Sequence, residues 1–425
     1  AVLNETGGRE VLSSLQRLLN SQELKPATKS SAIATILTVG GPQELATYGL
    51  DPKRFTRDDQ YDANAHADAL AKLIEVARFR EVKPAGNLAK ALEPLIKHSH
   101  SELQTNGLTL VGLWNVDKLA TSVLNVAKNE KLPVSVRAAA LAAMVEMKLP
   151  AGRDLLTTYA TNSKQPELRS AAIKSLTVVD IQSAAQQAAD LFSGSKLTTV
   201  DTKQIMAAFL TRSGGAQALA IALESQELKA DTARQLLASL FATGNSDQAL
   251  LGTLNRSLGS FRQTPDYSKG YVDQLVNKSH QQGNAERGKL LFNTVACASC
   301  HKVGGTGGKI GPDLSAIGTT LSAERITEEL LWPNRQVKEG YSVVRVITAE
   351  GKIHQGYQRR TQESEAAGNL ILQDPATKKL VTIKKQNIDQ RQTTGSIMPG
   401  KLTAVLSEAQ LLDLIQYLSE LGKIK

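Results

Sequence analysis

Cysteine is nearly missing: the 425 residues contain two, at positions 297 and 300. A bridge between them would close only a tiny loop, so a disulfide framework is excluded and the thiols are left for local chemistry. Aromatic residues are also scarce, at 4%. Basic residues give a formal charge of +9 but are spread along the chain. Scattered charge with few rings to stack on bases argues against nucleic acid as a partner and reads as a solvated basic surface. No uninterrupted apolar run approaches the roughly 18 to 20 residues that span a bilayer, so no transmembrane segment is expected. Ala1–Arg9 has no Met and no basic stretch leading into an apolar one. Ala1 therefore reads as a mature terminus after signal removal or as the boundary of a fragment.

What remains is ordinary for a folded protein. Hydrophobic residues make up 41% and charged residues 21%, and the length implies two or more cores. Residues 1 to 281 are rich in Ala, Leu, Ser and Gln, with apolar positions at helical spacing. A weak repeat runs through them, most visible in the segments beginning at Arg137, Arg169, Lys203 and Arg234. Its spacing of about 32 to 34 residues suits two helices and two turns per unit. Pro133 and Pro166 stand where a proline can open a helix without losing a hydrogen bond. The period predicts an α-solenoid that resembles divergent HEAT repeats, and a non-repetitive helical bundle is the alternative.

The pattern breaks near Gln281-Gln-Gly-Asn-Ala285, where Asn284 can cap a helix running to about Val295. Between about 340 and 394 the texture becomes β: Tyr341–Thr348, Lys352–Tyr357, Asn369–Gln373 and Lys379–Ile383 read as strands of a small antiparallel insert. Ser407 and Gln410 form a capping-box pattern at the head of an amphipathic last helix. The expected fold is mainly α, with a helical repeat domain over 1–281 and a second domain over 282–425 carrying the β insert.

The strongest local signal is Cys297-Ala-Ser-Cys300-His301. Two cysteines one helical turn apart can each add across a vinyl group of one porphyrin, while the adjacent His reaches the iron, so this motif predicts one covalent haem c. A redox dithiol would want a βαβ setting, and zinc would want further ligands, for which only His354 and His280 are near. The second axial ligand is expected to be Met398, in Gly395-Ser-Ile-Met-Pro-Gly400: a thioether is a soft ligand that favours Fe(II). Met144, Met147 and Met206 fit helical core positions instead. His354 is the runner-up. Gly304-Gly-Thr-Gly-Gly-Lys309 lacks the residues of a phosphate-binding loop and reads as a flexible loop beside the porphyrin. Trp332, Arg335 and Lys338 are candidates to approach the haem propionates, Trp332 being equally explained by packing beside Pro333.

Gly288-Lys-Leu-Leu-Phe292, the Cys297–His301 motif, Gly311-Pro-Asp-Leu314, Ser396-Ile-Met-Pro399 and a last helix containing Tyr417 together resemble a class I cytochrome c. With Leu331-Trp-Pro-Asn334, Glu339-Gly-Tyr341 and the β insert, the array is similar to the haem-binding domain of planctomycete and verrucomicrobial proteins. That resemblance implies that Gly288 and Phe292 face Tyr417 and Leu418 where the first and last helices cross. It also implies that the carbonyl of Pro312 fixes the ring of His301, and that the metal ligands are His301 and Met398. The gap from His301 to Met398 is longer than in a minimal cytochrome c, and the insert accounts for the excess. The function implied is single-electron transfer by a periplasmic or otherwise exported protein, from a dehydrogenase of sugar or alcohol type to a downstream acceptor. Two other readings stand beside it: a five-coordinate haem with peroxidase-like or sensory chemistry, and a protein-binding helical scaffold with a structural haem.

Overall fold

A computed structural model of the chain describes residues 8–20, 26–57, 59–80, 82–194, 197–242, 247–258, 264–294, 297–337, 342–359, 368–375, 377–398, 400 and 402–423. It is mostly helical with a small antiparallel sheet. The chain divides into two compact units, residues 1–179 and 180–425. The expected boundary at 281/282 falls inside the second.

In the first unit, α1 (Ala63–Phe79), α2 (Ser101–Leu113), α3 (Val134–Glu146) and α4 (Pro166–Val179) each pack on the next, with shorter helices between them. Small residues set the spacing: a Cβ on Gly112 of α2 would stand 2.9 Å from the Cα of Ala143 in α3. Two arginines in repeat register make the same bond. Arg137 Nε donates to Ala127 O (3.3 Å), and Arg169 Nε donates to Ala160 O (2.7 Å). Each acceptor is a carbonyl in the last turn of the preceding short helix, where backbone oxygens lack intrahelical partners and favour a cation. Met144 and Met147 are buried, as the helical spacing predicts.

The second unit opens with α5 (Ile181–Gly194), α6 (Thr199–Leu210), α7 (Gly215–Glu224), α8 (Ala230–Ala242) and α9 (Gln248–Ser257). Then come α10 (Lys269–Gln282), α11 (Ala285–Thr294), the helical turn Cys297–Cys300, α12 (Ala323–Leu331) and the last helix, α13 (Glu408–Glu420). Although α10 lies in the part read as repeats, it packs on α12 and α13, and its Leu275 joins the core that holds Phe292, Cys297, Leu330 and Ile415. Ser407 and Gln410 close the capping box at the start of α13.

Strands β1 (Val343–Thr348), β2 (Ile353–Arg359), β3 (Asn369–Gln373), β4 (Leu380–Lys384) and β5 (Ile388–Gly395) form one antiparallel sheet in the order β4-β3-β2-β1-β5. Val344, Val346, Leu370, Leu372 and Ile383 make its small core. The fifth strand has no counterpart in the sequence reading. Its residues Asp389 to Thr394 are exposed, so no apolar alternation marks it, and it is held by backbone pairing with β1. The β1–β2 turn rests on the turn after α6, where Ser213 N–H donates to Gly351 O and Ile353 N–H donates to Thr211 O. Among the described residues, no helix is long and apolar enough to cross a membrane.

Candidate haem site

The site is carried by α11 and α13. Asn284 caps α11 by accepting the N–H of Arg287 (2.9 Å). The two helices cross at Gly288, where a Cβ would collide with Asp413 O and stand 2.6 Å from Tyr417 Cβ. One turn on, the rings of Phe292 and Tyr417 meet at 5.8 Å. Asp413 ties the crossing from the other side: it accepts two bonds from the Arg287 guanidinium (both 2.7 Å) and one from Asn284 N–H (2.7 Å). Burial raises the Asp413 carboxyl, but the donors from Arg287 and Asn284 outweigh it and hold the group below its ordinary value.

The Cys297–Cys300 turn follows directly. Cys297 is buried against the core under α13, and Cys300 Sγ lies 3.6 Å from Phe241 O near the end of α8. Both thiols are free. Burial, reinforced by the neighbouring Cys300, pushes Cys297 up to about 12, and burial pushes Cys300 up to about 11.

His301 N–H donates to Cys297 O (2.9 Å), continuing the turn. Its Nδ1 is 2.9 Å from Pro312 O. A carbonyl oxygen can only accept, so Nδ1 carries the proton and the lone pair of Nε2 is left to a metal. Burial lowers the imidazole pKa, and the Pro312 bond opposes this in part. Gly311 lies against the ring: a Cβ there would be 2.6 Å from His301 Cε1.

The glycine-rich loop is more ordered than expected. Lys302–Val303 pairs with Thr306–Gly307, and the backbone folds back over the motif. Gly308 N–H donates to Ala298 O (2.8 Å), Gly311 N–H to Cys300 O (2.8 Å) and Leu314 N–H to Lys302 O (2.8 Å). A Cβ on Gly307 or Gly308 would strike the backbone of His301 or Ser299, so glycine is required there.

Met398 is part-buried and packs against the core that contains Cys297, Phe292 and Tyr417. His354 sits on β2 opposite Val346 and outside that core, with burial and Lys352 lowering its pKa to about 4. Of the propionate candidates, Trp332 donates its indole N–H to Pro265 O (2.9 Å) and packs edge-on against Tyr267 and Tyr271. Arg335 is bonded to Glu328 (2.8 Å) and lies 3.6 Å above the Tyr267 ring. Both are thus held by the protein, and Lys338, with Glu339–Tyr341, lies outside the described residues. The sequence reading quotes the Leu331–Asn334 motif without a role for Asn334, whose Oδ1 accepts Ser396 N–H (2.8 Å) ahead of Met398. It missed Arg287, Asp413 and Phe241. An Asn just beyond a helix end and a Trp-Pro pair was the one available hint, and it carried no partner.

Residues 285–345 match the family model for Cytochrome c. The match supports a c-type cytochrome domain in this stretch, and with it a haem protein that transfers electrons through covalently bound haem c. It ends ahead of the Met398 loop. No curated protein matches the chain.

The residues present fit that group. Two cysteines outside any disulfide stand one helical turn apart, and the next residue is a histidine whose Nδ1 is bonded to Pro312 O, which leaves the Nε2 lone pair for a metal. Among the described residues, no three His, Cys, Asp or Glu side chains come together as a metal-holding cluster.

Proposed function

We propose that the chain is a monohaem c-type electron carrier in which Cys297 and Cys300 hold the porphyrin, and His301 and Met398 are the axial ligands. The observation that carries this reading is the His301–Pro312 bond beside the paired thiols, because it fixes the one tautomer that can ligate. Bound haem supplies a one-electron couple at its iron. The protein's part is to orient His301 through Pro312 and Gly311 and to present Met398 from the core that α11 and α13 share. The purified protein is expected to keep its haem through denaturation and acid-acetone extraction. Extractable haem defeats the claim.

Packing of Met398 on the Cys297 core favours a six-coordinate carrier over a five-coordinate peroxidase-like or sensory haem. Met398→Ala should abolish the thioether-to-iron absorption of the ferric protein and lower its reduction potential, whereas His354→Ala should leave both in place. Absence of that absorption in the parent, with a potential that shifts in His354→Ala and not in Met398→Ala, would exchange the two assignments.

The finer reading follows the resemblance. The domain over 282–425 is of the planctomycete and verrucomicrobial haem-binding type, and the chain works as a periplasmic or otherwise exported protein. Its helical part, with Arg137 and Arg169 bonded alike, is a HEAT-like stack that serves as a docking arm. Electrons come one at a time from a partner or fused dehydrogenase of sugar or alcohol type and leave to a downstream acceptor.

A further inference from the structure

A thioether is a weak axial donor, so its retention depends on how well the loop that carries it is ordered beforehand. The loop leaves β5 at Gly395, whose φ of +86° is a left-handed conformation suited to glycine. Immediately afterwards two hydrogen bonds follow in series. Ser396 N–H donates to Asn334 Oδ1 (2.8 Å), and Met398 N–H donates to Ser396 Oγ (3.1 Å). The amide oxygen of Asn334 lies so close that a Cβ on Gly395 would stand 2.5 Å from it.

Asn334 is itself held on both sides. Trp332, two residues before it, is fixed by Pro265, Tyr267 and Tyr271. Arg335, the next residue, donates its N–H to Trp332 O (2.9 Å) and its guanidinium to Glu328. The acceptor thus projects from a braced corner after α12, while the segment it holds has no regular structure of its own.

We propose that Asn334 is the positioning residue of the distal loop: its amide oxygen fixes the Ser396 peptide, and through Ser396 the placement of Met398. This rests on the assignment of Met398 as axial ligand. Asn334 touches neither the haem nor the reacting atoms by this argument. Its effect is on how firmly Met398 stays in place. Because the bond is exposed to solvent, water replaces it in part, and the effect is modest.

The test is displacement of the thioether by added imidazole, followed by the ferric thioether-to-iron absorption in the full haem-loaded chain. Asn334→Ala should let imidazole displace the ligand at a concentration about three- to tenfold lower, the span of one lost hydrogen bond. Asn334→Asp, which keeps an acceptor oxygen at the same place, should restore displacement towards that of the parent. A general loss of folding would not be rescued in this way. If Asn334→Ala fails to retain haem, Ser396→Ala reads the second bond and should shift displacement in the same direction. Parent-like displacement in Asn334→Ala, or in Ser396→Ala where that variant is needed, overturns the proposal while Met398 keeps its assignment. An unchanged absorption in Met398→Ala overturns the assignment and the proposal together.

Discussion

His66 is fully buried in the first unit, with Phe55 stacked on it at 4.2 Å. Its Nε2 donates to Gly49 O (3.0 Å), so Nδ1 is the acceptor of the Tyr61 hydroxyl (2.7 Å). Burial lowers its pKa to about 4, against the opposing Gly49 bond and Asp51 and with help from His98. In the unfolded chain the ring takes a proton near its ordinary 6.5. The stability it contributes is therefore complete above about pH 6.5 and is lost as pH falls towards about 4, a change of about 3 kcal/mol. Hydrogen exchange of residues 1–179 across that range measures it, and flat protection would remove His66 from the account. Sequence alone shows His66 as one more polar residue on a helix, because enclosure by Gly49, Phe55 and Tyr61 is a matter of tertiary contact. Cys297, Cys300 and His301 were legible because their chemistry is carried by adjacency. Asn334 was not, since its partner lies 62 positions away.

Among the elements, the pairing of α11 with α13 does most to place the haem motif. It was foreshadowed by the Gly288, Phe292 and Tyr417 pattern, and the structure brings those three side by side. Gly288→Ala adds a methyl group where Asp413 O and Tyr417 Cβ already stand, and the helices must part to admit it. The expected loss is about 1–3 kcal/mol in chemical denaturation of the haem-loaded protein. A midpoint equal to the parent's would mean that the crossing yields without strain. The ends of these helices could be read from Asn284 and Ser407, whose capping chemistry is local. Strand β5 could not, because Asp389 to Thr394 are exposed and carry no apolar alternation, and its place is set by backbone pairing with β1.

At the scale of the molecule, the helical character of the first 280 residues and the change of texture beyond them were plain in the sequence. The division into compact units at 179/180 was not. Helices on either side of that point have the same Ala- and Leu-rich composition, and nothing in a single chain of letters says which neighbours close a core. Similarly, α10 lies before the expected boundary at 281/282, yet its Leu275 is shared with the core of Cys297. The sheet has a consequence for how such a chain can change. Its first and last strands, β1 and β5, are neighbours, with Val343 paired to Gly395. The long detour between His301 and Met398 thus departs and returns at one spot beside Asn334. Residues could be gained or lost at the far side, around β3 and β4, while the place of Met398 beside that corner stays the same.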